Sequence, residues 1–380
     1  MTLTDTALSF EVLHTSKKSR ARVGRITTPH GSFLTPTFVG VGTNGVMKGI
    51  GHDEVQAAGL DLMFANTYHL MVQPGEDTIE KMGGLHKFSG RDRPIITDSG
   101  GFQVFSLAYG SVASELKSQG TKKHENSVQK ITEEGVKFRS YRDGKLILLT
   151  PETSIAAQKK IGADIMISFD ELPPYHISPE ALKKSFERTH RWEKRSIDYH
   201  KANPTLQALY SVIHGGIDLE LRKKSCKILS DLPFDGHAIG GSLGKNRDEM
   251  ITMLTDLLPS LPLEKPNHLL GIADLPSLAS AIPLGIDSFD SSYPTKAARH
   301  GTFLTNNGPL RIASGAYKHD PRPIEEGCPC RACQTASRSL MHHLFKSSEL
   351  LGQSLASIHN LSFMVRYMDT VRKKILLDEI

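Results

Sequence analysis

The chain has 380 residues, which is long enough to bury a large hydrophobic core, either as one large barrel or as two domains. Hydrophobic residues make up 38% of the sequence, and no apolar run approaches the ~20 residues that a membrane-spanning helix needs. The stretch Met1–Ser9 lacks the basic start and the apolar run of a secretion signal, so we expect a cytoplasmic protein without a membrane partner.

The net charge of +5 is mildly basic and does not by itself identify a nucleic-acid binder. Its distribution is uneven, because basic side chains form three clusters. These are Lys17, Lys18, Arg20, Arg22 and Arg25; then Arg188, Arg191, Lys194 and Arg195; and finally Arg372, Lys373 and Lys374. Such clusters can contact phosphates, although most clusters of this kind are solvated faces.

In chain order, residues 1–35 predict antiparallel strands that lead into the main fold. Eight short apolar segments then alternate with helical patterns, which favours an α/β fold of the (β/α)8 type, a TIM barrel. The segments are Pro36–Val41, Leu62–Thr67, Pro94–Asp98, Ile165–Asp170, Leu206–His214, His237–Gly240, His268–Ile272 and Ile286–Asp290. A doubly wound open sheet is the alternative, but no G-x-G-x-x-G motif follows the first strand.

Three of these segments end on a carboxylate. Asp98, Asp170 and Asp290 each follow a strand and precede turn-forming or strand-stopping residues. One such aspartate alone is more often a cap or a turn residue. In a barrel, however, the carboxyl ends of the strands share one face, so the three acids are predicted to line one mouth.

The polar and basic segment Ser111–Lys130 interrupts the alternation after the Asp98 strand. It predicts either a mobile lid over the mouth or a disordered insertion.

A cluster of cysteines near the C-terminus predicts a metal site. Cys328, Cys330 and Cys333 lie within six residues, too close for comfortable disulfides, and a cytosolic protein would keep them reduced. A tetrahedral zinc needs a fourth ligand, for which the candidates are His342, His343 and His359. We favour His359, which is expected to lie after a helix over Ala336–Leu351 and before the next helix, where it can fold back onto the cysteines.

Three thiolates and a histidine fill the zinc shell, so one structural zinc per chain is expected; an iron–sulfur or redox cluster is the alternative. The expected organisation is N-terminal strands over 1–35, a barrel over 36–310 and 361–380, and a zinc-binding subdomain over 311–360. Cys226 has no partner and is expected to be buried in its helix.

Several motifs together resemble the bacterial-type tRNA-guanine transglycosylases. They are Asn66-Thr67-Tyr68-His69-Leu70, Asp98-Ser99-Gly100-Gly101-Phe102-Gln103, Phe169-Asp170-Glu171, Gly240-Gly241, Gly285–Asp290 with Pro294-Thr295, and the Cys-x-Cys-x-x-Cys motif with its histidines. The resemblance covers nearly all of Phe10–Leu376. It implies a barrel with a zinc-bearing insertion and the exchange of guanine, at the wobble position of tRNAs with GUN anticodons (those for Asp, Asn, His and Tyr), for a free 7-deazaguanine base. It also suggests a homodimer with the zinc region near the interface.

The resemblance also implies roles for single residues. Asp290 corresponds to the nucleophile that forms a covalent bond to the ribose, and Asp98 to the general acid/base. The base-binding residues would be Asp170, Gly241, Phe102, Ser99, Gly240, Gly271, His214, Leu172 and Gly244. The RNA would be held by Lys296, Arg299 and Thr295.

Three positions depart from the family pattern. His214 replaces a glutamine that hydrogen-bonds the base, and Leu172 replaces a cysteine. Gly244 lies at or beside a position where bacterial relatives that use 7-aminomethyl-7-deazaguanine have valine and enzymes that use queuine have glycine. The incoming base is therefore either queuine or its aminomethyl precursor.

Two other functions remain open from the residues alone. Three acids at a barrel mouth also suit a glycosidase or a metal-dependent hydrolase, but no histidine pair lies at the strand ends. A non-catalytic tRNA-binding subunit of the same superfamily would keep the zinc and lose the acids, whereas Asp98 and Asp290 are both present here.

Overall fold

The computed structural model describes residues 7–109, 116, 128–140 and 142–380. An antiparallel N-terminal sheet contains β1 (Ser9–Thr15), β2 (Arg22–Thr28) and β3 (Gly31–Thr35). Ile26 and Phe33 of this sheet belong to the apolar cluster that fills the barrel interior, so the sheet closes the end of the barrel where the strands begin.

Eight parallel strands form a closed barrel in which each strand pairs with its neighbours in the chain, and the last pairs with the first. They are β4 (Thr37–Val41), β5 (Met63–Ala65), β6 (Ile95–Thr97), β10 (Ile165–Ile167), β11 (Ala208–Ile213), β12 (Gly236–Ile239), β13 (Asn267–Leu269) and β14 (Ser288–Ser291); an insertion adds β7 (Val128–Ile131), β8 (Val136–Arg139) and β9 (Leu146–Leu149). Each of the eight predicted segments contains or overlaps one barrel strand, and the predicted TIM barrel is confirmed.

The alternation of side chains along each strand separates the inside of the barrel from the helical layer. Val39, Phe64 and Ile167 belong to the interior cluster, whereas their chain neighbours Phe38 and Met63 pack in the larger cluster outside. Because both faces of a parallel barrel strand are buried, the strands are nearly continuous apolar runs. A polar side chain near the carboxyl end of such a strand is therefore exceptional.

The helices are α1 (His52–Ala57), α2 (Thr67–Val72), α3 (Glu76–Lys81), α4 (Gly84–Ser89), α5 (Gly101–Tyr109), α6 (Pro151–Ile161), α7 (Pro179–Ala202), α8 (Leu219–Ser230), α9 (Arg247–Leu257), α10 (Leu275–Ala281), α11 (Tyr293–Arg299), α12 (Arg331–Thr335), α13 (Arg338–Lys346) and α14 (Leu350–Leu376). Side chains cap the starts of α6 and α7. The hydroxyl of Thr150 accepts from Thr153 N–H, and that of Ser178 accepts from Ala181 N–H, each at 3.2 Å. In both helices proline occupies the first turn, where its missing N–H costs nothing.

The insertion between β6 and β10 contains the segment for which a lid or a disordered insertion was predicted. Of Ser111–Lys130, residues 111–115 and 117–127 lie outside the described residues. Val128–Lys130 belong to β7, which pairs with β8 and β9 in a small antiparallel sheet. The sheet packs on the barrel through a cluster that includes Phe138, Phe169 and Trp192.

The C-terminal region follows β14 and α11. A two-stranded sheet, β15 (Thr302–Phe303) and β16 (Leu310–Arg311), leads to the cysteines and to α12–α14. The expected single helix over Ala336–Leu351 is wrong, because α13 ends at Lys346 and Ser348 has a left-handed backbone with φ of 57°. His359 lies inside the long helix α14 and not before it.

The predicted boundary between the zinc-binding subdomain (311–360) and the last barrel segment (361–380) falls within this helix and remains a prediction. No helix in the described part of the chain has both the length and the apolar character required to cross a membrane.

Candidate active site and metal centre

The carboxyl ends of the eight strands meet at one mouth, and Asp98, Asp170 and Asp290 lie at this end of the barrel. Asp98 directly follows β6, Asp170 follows β10, and Asp290 lies near the end of β14. β6 and β10 pair directly, while β4 and β5 separate β6 from β14. The two aspartates that the resemblance assigns to catalysis therefore face the same opening.

One oxygen of Asp290 is held from two sides. Its Oδ1 atom accepts from the backbone N–H of Gly271 at 2.8 Å and lies 3.1 Å from His268 Nε2. No hydrogen-bond donor among the described residues reaches Oδ2. The side chain is 10% exposed, so Asp290 is in contact with the mouth. A carboxylate fixed by one oxygen and free at the other is suited to nucleophilic attack.

Both oxygens of Asp98 are hydrogen-bonded. Oδ2 accepts from the side-chain amides of Asn66 at 2.7 Å and Gln103 at 2.8 Å, and Oδ1 accepts from Thr67 N–H at 2.8 Å. Burial raises the pKa of Asp98, while these donors act in the opposite direction. A buried carboxyl with a raised pKa that is held in one orientation is suited to exchange protons with a bound base.

Asp170 is close to Asp98, and its side chain is 12% exposed. Burial raises the pKa of Asp170 to about 7, and the negative charges of Asp98 and Glu171 contribute to the rise. Glu171 turns away from the site to pair with Arg188 at 2.8 Å. Gly101 allows the backbone of Asp170 to lie close to the start of α5, because a Cβ at position 101 would lie 2.7 Å from the Asp170 carbonyl oxygen. The carboxylate of Asp170 therefore lies next to Asp98 and can accept hydrogen bonds from the N–H groups of a ligand.

His214 lies at the end of β11 with an unusual lack of partners. Its side chain is fully buried, and neither ring nitrogen has a hydrogen-bond partner among the described residues. Burial lowers the pKa of His214 to about 3, and the nearby charge of Arg222 contributes, so the ring is neutral. Its Nε2 atom lies 3.9 Å from Asp170 Oδ2, too far for a hydrogen bond. A buried, unpartnered imidazole beside Asp170 can bind a polar edge of a ligand.

Arg222 fixes the two loops next to His214. Its guanidinium donates to the carbonyl oxygens of Ile213 at 2.7 Å, Gly216 at 2.8 Å and Ser242 at 2.9 Å. Gly240 and Gly241 lie between these contacts at the end of β12. The loop after β12 is thus held in place by a buried arginine from α8.

Gly244 lies in the same loop with φ of +108°, and a Cβ here would be 2.9 Å from Glu249 Oε2. Glu249 in turn accepts from Tyr175 Oη at 3.1 Å and from Lys245 N–H at 2.6 Å. A β-branched side chain at position 244 would strain the backbone and displace Glu249. The local conformation therefore requires glycine.

The other predicted base-binding residues surround these groups. Phe102, in the first turn of α5, is 47% exposed and can stack on a ligand. Ser99 is buried, and its hydroxyl oxygen lies 3.2 Å from Gly101 N–H. Gly271 holds Asp290 as described above, and Leu172 is half-buried beside Glu171.

The three residues predicted to bind RNA lie on α11, directly after β14. Lys296 is exposed and Arg299 is half-buried, so both can reach a phosphate. Thr295 is buried, and its hydroxyl donates to Ser292 O at 3.3 Å within the same turn. Its position does not support a direct contact with RNA.

The basic cluster of α7 is neutralised by carboxylates. Each of its four side chains forms an ion pair. The pairs are Arg188–Glu171 at 2.8 Å, Arg191–Glu133 at 2.5 Å, Lys194–Asp198 at 2.6 Å and Arg195–Glu152 at 2.7 Å. The three arginine pairs connect α7 to neighbouring segments, whereas Lys194–Asp198 lies within the helix, and the cluster offers little free charge to a phosphate.

The four predicted metal ligands converge. The sulfur atoms of Cys328, Cys330 and Cys333 lie 3.8, 3.5 and 3.3 Å from His359 Nδ1. A tetrahedral zinc ion with bonds of about 2.3 Å to sulfur and about 2.0 Å to nitrogen separates such atoms by about 3.5 Å. His359 Nε2 donates to Leu304 O at 2.8 Å, which leaves Nδ1 free to bind a metal. These residues can hold a metal such as zinc.

The other candidates for the fourth ligand point elsewhere. His342 Nδ1 bonds Ile312 O at 2.8 Å, and His343 lies near Ser347. Cys226 is buried in α8, as expected, and burial raises the pKa of its thiol to about 12.

A second group of metal-ligand side chains occurs near the start of β10. His30 Nδ1 and His86 Nε2 bond different oxygens of Asp164, at 2.7 and 3.0 Å. The two rings are stacked in nearly parallel planes 3.5 Å apart, so their in-plane lone pairs do not converge on one ion. Hydrogen bonding to Asp164 accounts for this group.

Several residues at the site were missed from the sequence. Asn66, Thr67 and Gln103 lie in motifs that carried the resemblance, but their contact with Asp98 depends on α2 and α5 meeting above β6. His268 in β13 had no assigned role. Glu193 of α7 is fully buried, and it accepts from Val212 N–H at 2.8 Å and from the Ser168 hydroxyl. No local sequence pattern marks a buried acid within an amphipathic helix.

Comparison with known proteins agrees with this site. A family model described as queuine tRNA-ribosyltransferase matches residues 16–380. Curated relatives with that description include proteins from Protochlamydia amoebophila (strain UWE25), 63% identical over 98% of this chain and 96% of the relative, and from Chlamydia muridarum (strain MoPn / Nigg), 56% identical over 98% and 100%. The chain belongs to the queuine tRNA-ribosyltransferase family.

Proposed function

We propose that this chain exchanges guanine in tRNA for a 7-deazaguanine base, as a pentosyltransferase of queuosine modification. The observation that carries the proposal is the pair of aspartates at one barrel mouth, one with a free oxygen and one buried with a raised pKa. The direct test is incorporation of labelled guanine into a tRNA with a GUN anticodon. Absence of incorporation by the folded protein would reject the proposal.

The reaction has two balanced steps. Asp290 Oδ2 attacks the anomeric carbon of the ribose, the bond from that carbon to guanine N9 breaks, and the electron pair leaves with guanine, which takes a proton from Asp98. In the second step the incoming base loses its N9 proton to Asp98 and attacks the same carbon, and Asp290 is released as a carboxylate. The covalent ester divides one difficult substitution into two easier ones.

Base recognition falls to Asp170, because an ionised carboxylate can accept from the N1–H and the exocyclic amine of a guanine-like base. Gly241 offers its backbone N–H to the ring carbonyl oxygen, and Phe102 stacks on the ring. His214 is neutral and unpartnered, so it can donate to the base in place of the usual glutamine.

Affinity for the free base is expected to fall as the pH drops below about 7. In the free protein Asp170 becomes protonated below its pKa of about 7, and only the ionised form accepts both N–H groups. Below that pKa the dissociation constant should rise about tenfold per pH unit. Titration calorimetry between pH 8.5 and 5.5 measures this change, and equal affinity at the two limits would contradict the assignment.

Asp170→Asn is the control for this pH dependence. It should bind the base weakly at every pH. The folded-state pKa of Asp170 is raised above the ordinary 3.8, so its ionisation costs stability as the pH rises through about 7. The variant should therefore unfold at a higher temperature than the unmodified protein at pH 8, and this advantage should disappear at about pH 4.

Queuine is the incoming base in this proposal. The family resemblance supports it, because enzymes that use queuine have glycine at or beside position 244. Valine is disfavoured here, since φ is +108° and a Cβ would lie 2.9 Å from Glu249 Oε2. Exchange into guanine-containing tRNA should be efficient with queuine and poor with 7-aminomethyl-7-deazaguanine. Efficient use of the precursor with no use of queuine would end this part of the proposal.

The RNA partner is a tRNA whose anticodon loop releases the wobble nucleotide into the mouth. Lys296 and Arg299 are proposed to hold its backbone, since both belong to the helix that follows the nucleophile strand. The GUN anticodons of the tRNAs for Asp, Asn, His and Tyr come from the family resemblance.

The metal is proposed to be one structural zinc bound by Cys328, Cys330, Cys333 and His359. Four protein ligands leave no open position for water, so the ion stabilises the fold and takes no part in the exchange. Next to His359, Asn360 accepts from Leu304 N–H at 2.8 Å and donates to Pro294 O at 2.9 Å, which connects the metal region to α11. Metal analysis should find one zinc per chain.

A homodimer with the metal region near its interface is also proposed. Leu340, Leu350 and Leu351, on α13 and α14, are 42%, 75% and 52% exposed, and contact with a second copy would remove this apolar surface from water. A cytoplasmic location fits three thiolates that must stay reduced.

A further inference from the structure

His268 links the nucleophile to the barrel wall. It lies in β13 and pairs in register with Ser288 of β14, two residues before Asp290 on the same face of that strand. The His268 side chain is fully buried. Its Nε2 atom lies 3.1 Å from Asp290 Oδ1, and its Nδ1 atom lies 2.8 Å from the Ser288 hydroxyl oxygen.

The chemistry of these groups fixes the direction of the hydrogen bonds. An ionised carboxylate has no proton to give, so His268 Nε2 carries the hydrogen and donates it to Asp290. In a neutral ring Nδ1 is then an acceptor, and the Ser288 hydroxyl donates to it at 2.8 Å in preference to the more distant Asn267 O at 3.4 Å. Ser288 thus selects the tautomer that His268 needs in order to hold Asp290.

We propose that His268 is a positioning residue that directs Asp290 to attack through Oδ2. The proposal rests on the exchange reaction proposed above. Donation from His268 and from Gly271 N–H binds Oδ1 from two directions and stops the carboxylate from rotating. The unbound oxygen, Oδ2, is left facing the ribose in every turnover.

The same two donors serve the second half of the reaction. Once Oδ2 has bonded to the anomeric carbon, Oδ1 is the carbonyl oxygen of the ester and still accepts both hydrogen bonds. When the incoming base displaces the ester, the carboxylate regains its negative charge, and the donors stabilise that charge as it develops. His268 should therefore increase the rates of both ester formation and ester displacement.

The test compares His268→Met with His268→Gln. The two side chains have similar length, but only glutamine carries an N–H donor at the position of Nε2. For His268→Met, kcat and the single-turnover rate of covalent complex formation should fall roughly 10- to 100-fold, with KM for tRNA and for the base changed less than twofold. His268→Gln should recover most of the rate. Equal rates for the two variants, or an unchanged rate in His268→Met, would overturn the proposal.

Ser288→Ala provides a second, independent arm. Ser288 acts through His268, so the substitution should lower kcat several-fold in the unmodified protein and have no further effect in the His268→Gln background. The Ser288→Ala comparison tests the proposal even if His268→Met does not fold. An equal fall in kcat in both backgrounds would contradict the claim that Ser288 acts through His268. Failure of the unmodified protein to exchange guanine would reject the proposed function itself, which is a distinguishable result.

Discussion

Replacing Asp290 with asparagine is expected to lower guanine exchange at least ~10⁴-fold while leaving the folded structure intact. The loss follows because an amide is a far weaker nucleophile than a carboxylate and cannot form the ester. The folded structure tolerates the change because the two donors to Asp290, Gly271 N–H and His268 Nε2–H, both meet Oδ1. Asparagine can place its oxygen there and its NH2 group at the position of Oδ2, so that no donor faces another donor.

The measurement combines labelled-guanine exchange with trapping of the covalent complex on an anticodon stem-loop. Asp290→Asn should form no complex that survives denaturation, yet it should still bind the stem-loop and unfold within about a degree of the unmodified protein. Sequencing the adduct of the unmodified protein should identify Asp290 as the modified residue. Exchange by Asp290→Asn at the normal rate, or an adduct on another residue, would refute the assignment.

The barrel was predictable because its strands carry a strong local signal. Each strand is a short apolar run, buried on both faces and followed by residues that stop strands. The same pattern identified Asp98, Asp170 and Asp290 as candidate site residues, since an acid at the end of such an apolar run is exceptional. Several predicted segments were longer than the strands they contain, as in Leu206–His214, where β11 covers Ala208–Ile213.

Residues that act through contacts between elements were not predictable in this way. His268 reads as an ordinary member of a buried strand, and its role depends on the register of β13 against β14. Asn66 immediately precedes α2 and Gln103 lies in α5. Because these helices follow different strands, the meeting of the two side chains at Asp98 is a property of the closed barrel. The sheet β7–β9 was missed because β7 and β8 contain polar and charged residues and lack the continuous apolar run that marks the barrel strands.

The metal region contains one feature that the sequence predicts and one that it does not. Three cysteines in six residues are a local pattern, and His359 was the favoured fourth ligand. The predicted position of His359 between two helices was wrong. The chain breaks earlier, between α13 and α14, where Ser348 has a left-handed conformation, and no glycine or proline at that point indicates the break.

Asp98→Asn is expected to lower exchange by roughly 10²–10⁴-fold and, in contrast to Asp290→Asn, also to lower stability. Both oxygens of Asp98 accept hydrogen bonds, Oδ2 from Asn66 and Gln103 and Oδ1 from Thr67. An asparagine that keeps its oxygen on Thr67 N–H turns its NH2 group toward the amides of Asn66 and Gln103, and a donor stays unsatisfied unless both amides rotate. An unsatisfied buried donor costs about 1–3 kcal/mol, which calorimetry or denaturant unfolding can measure.

The catalytic part of this loss can be separated from the structural part through the leaving group. Guanine needs a proton to depart, whereas 7-methylguanine already carries a positive charge in the nucleoside and leaves without one. With a stem-loop that carries 7-methylguanine at the exchanged position, Asp98→Asn should recover covalent complex formation and Asp290→Asn should not. If Asp98→Asn remained equally slow on both leaving groups while binding both stem-loops normally, Asp98 would not be the proton donor. Recovery in Asp98→Asn alone would assign proton transfer to Asp98 and bond formation to Asp290, because only the second role is needed when the departing base requires no proton.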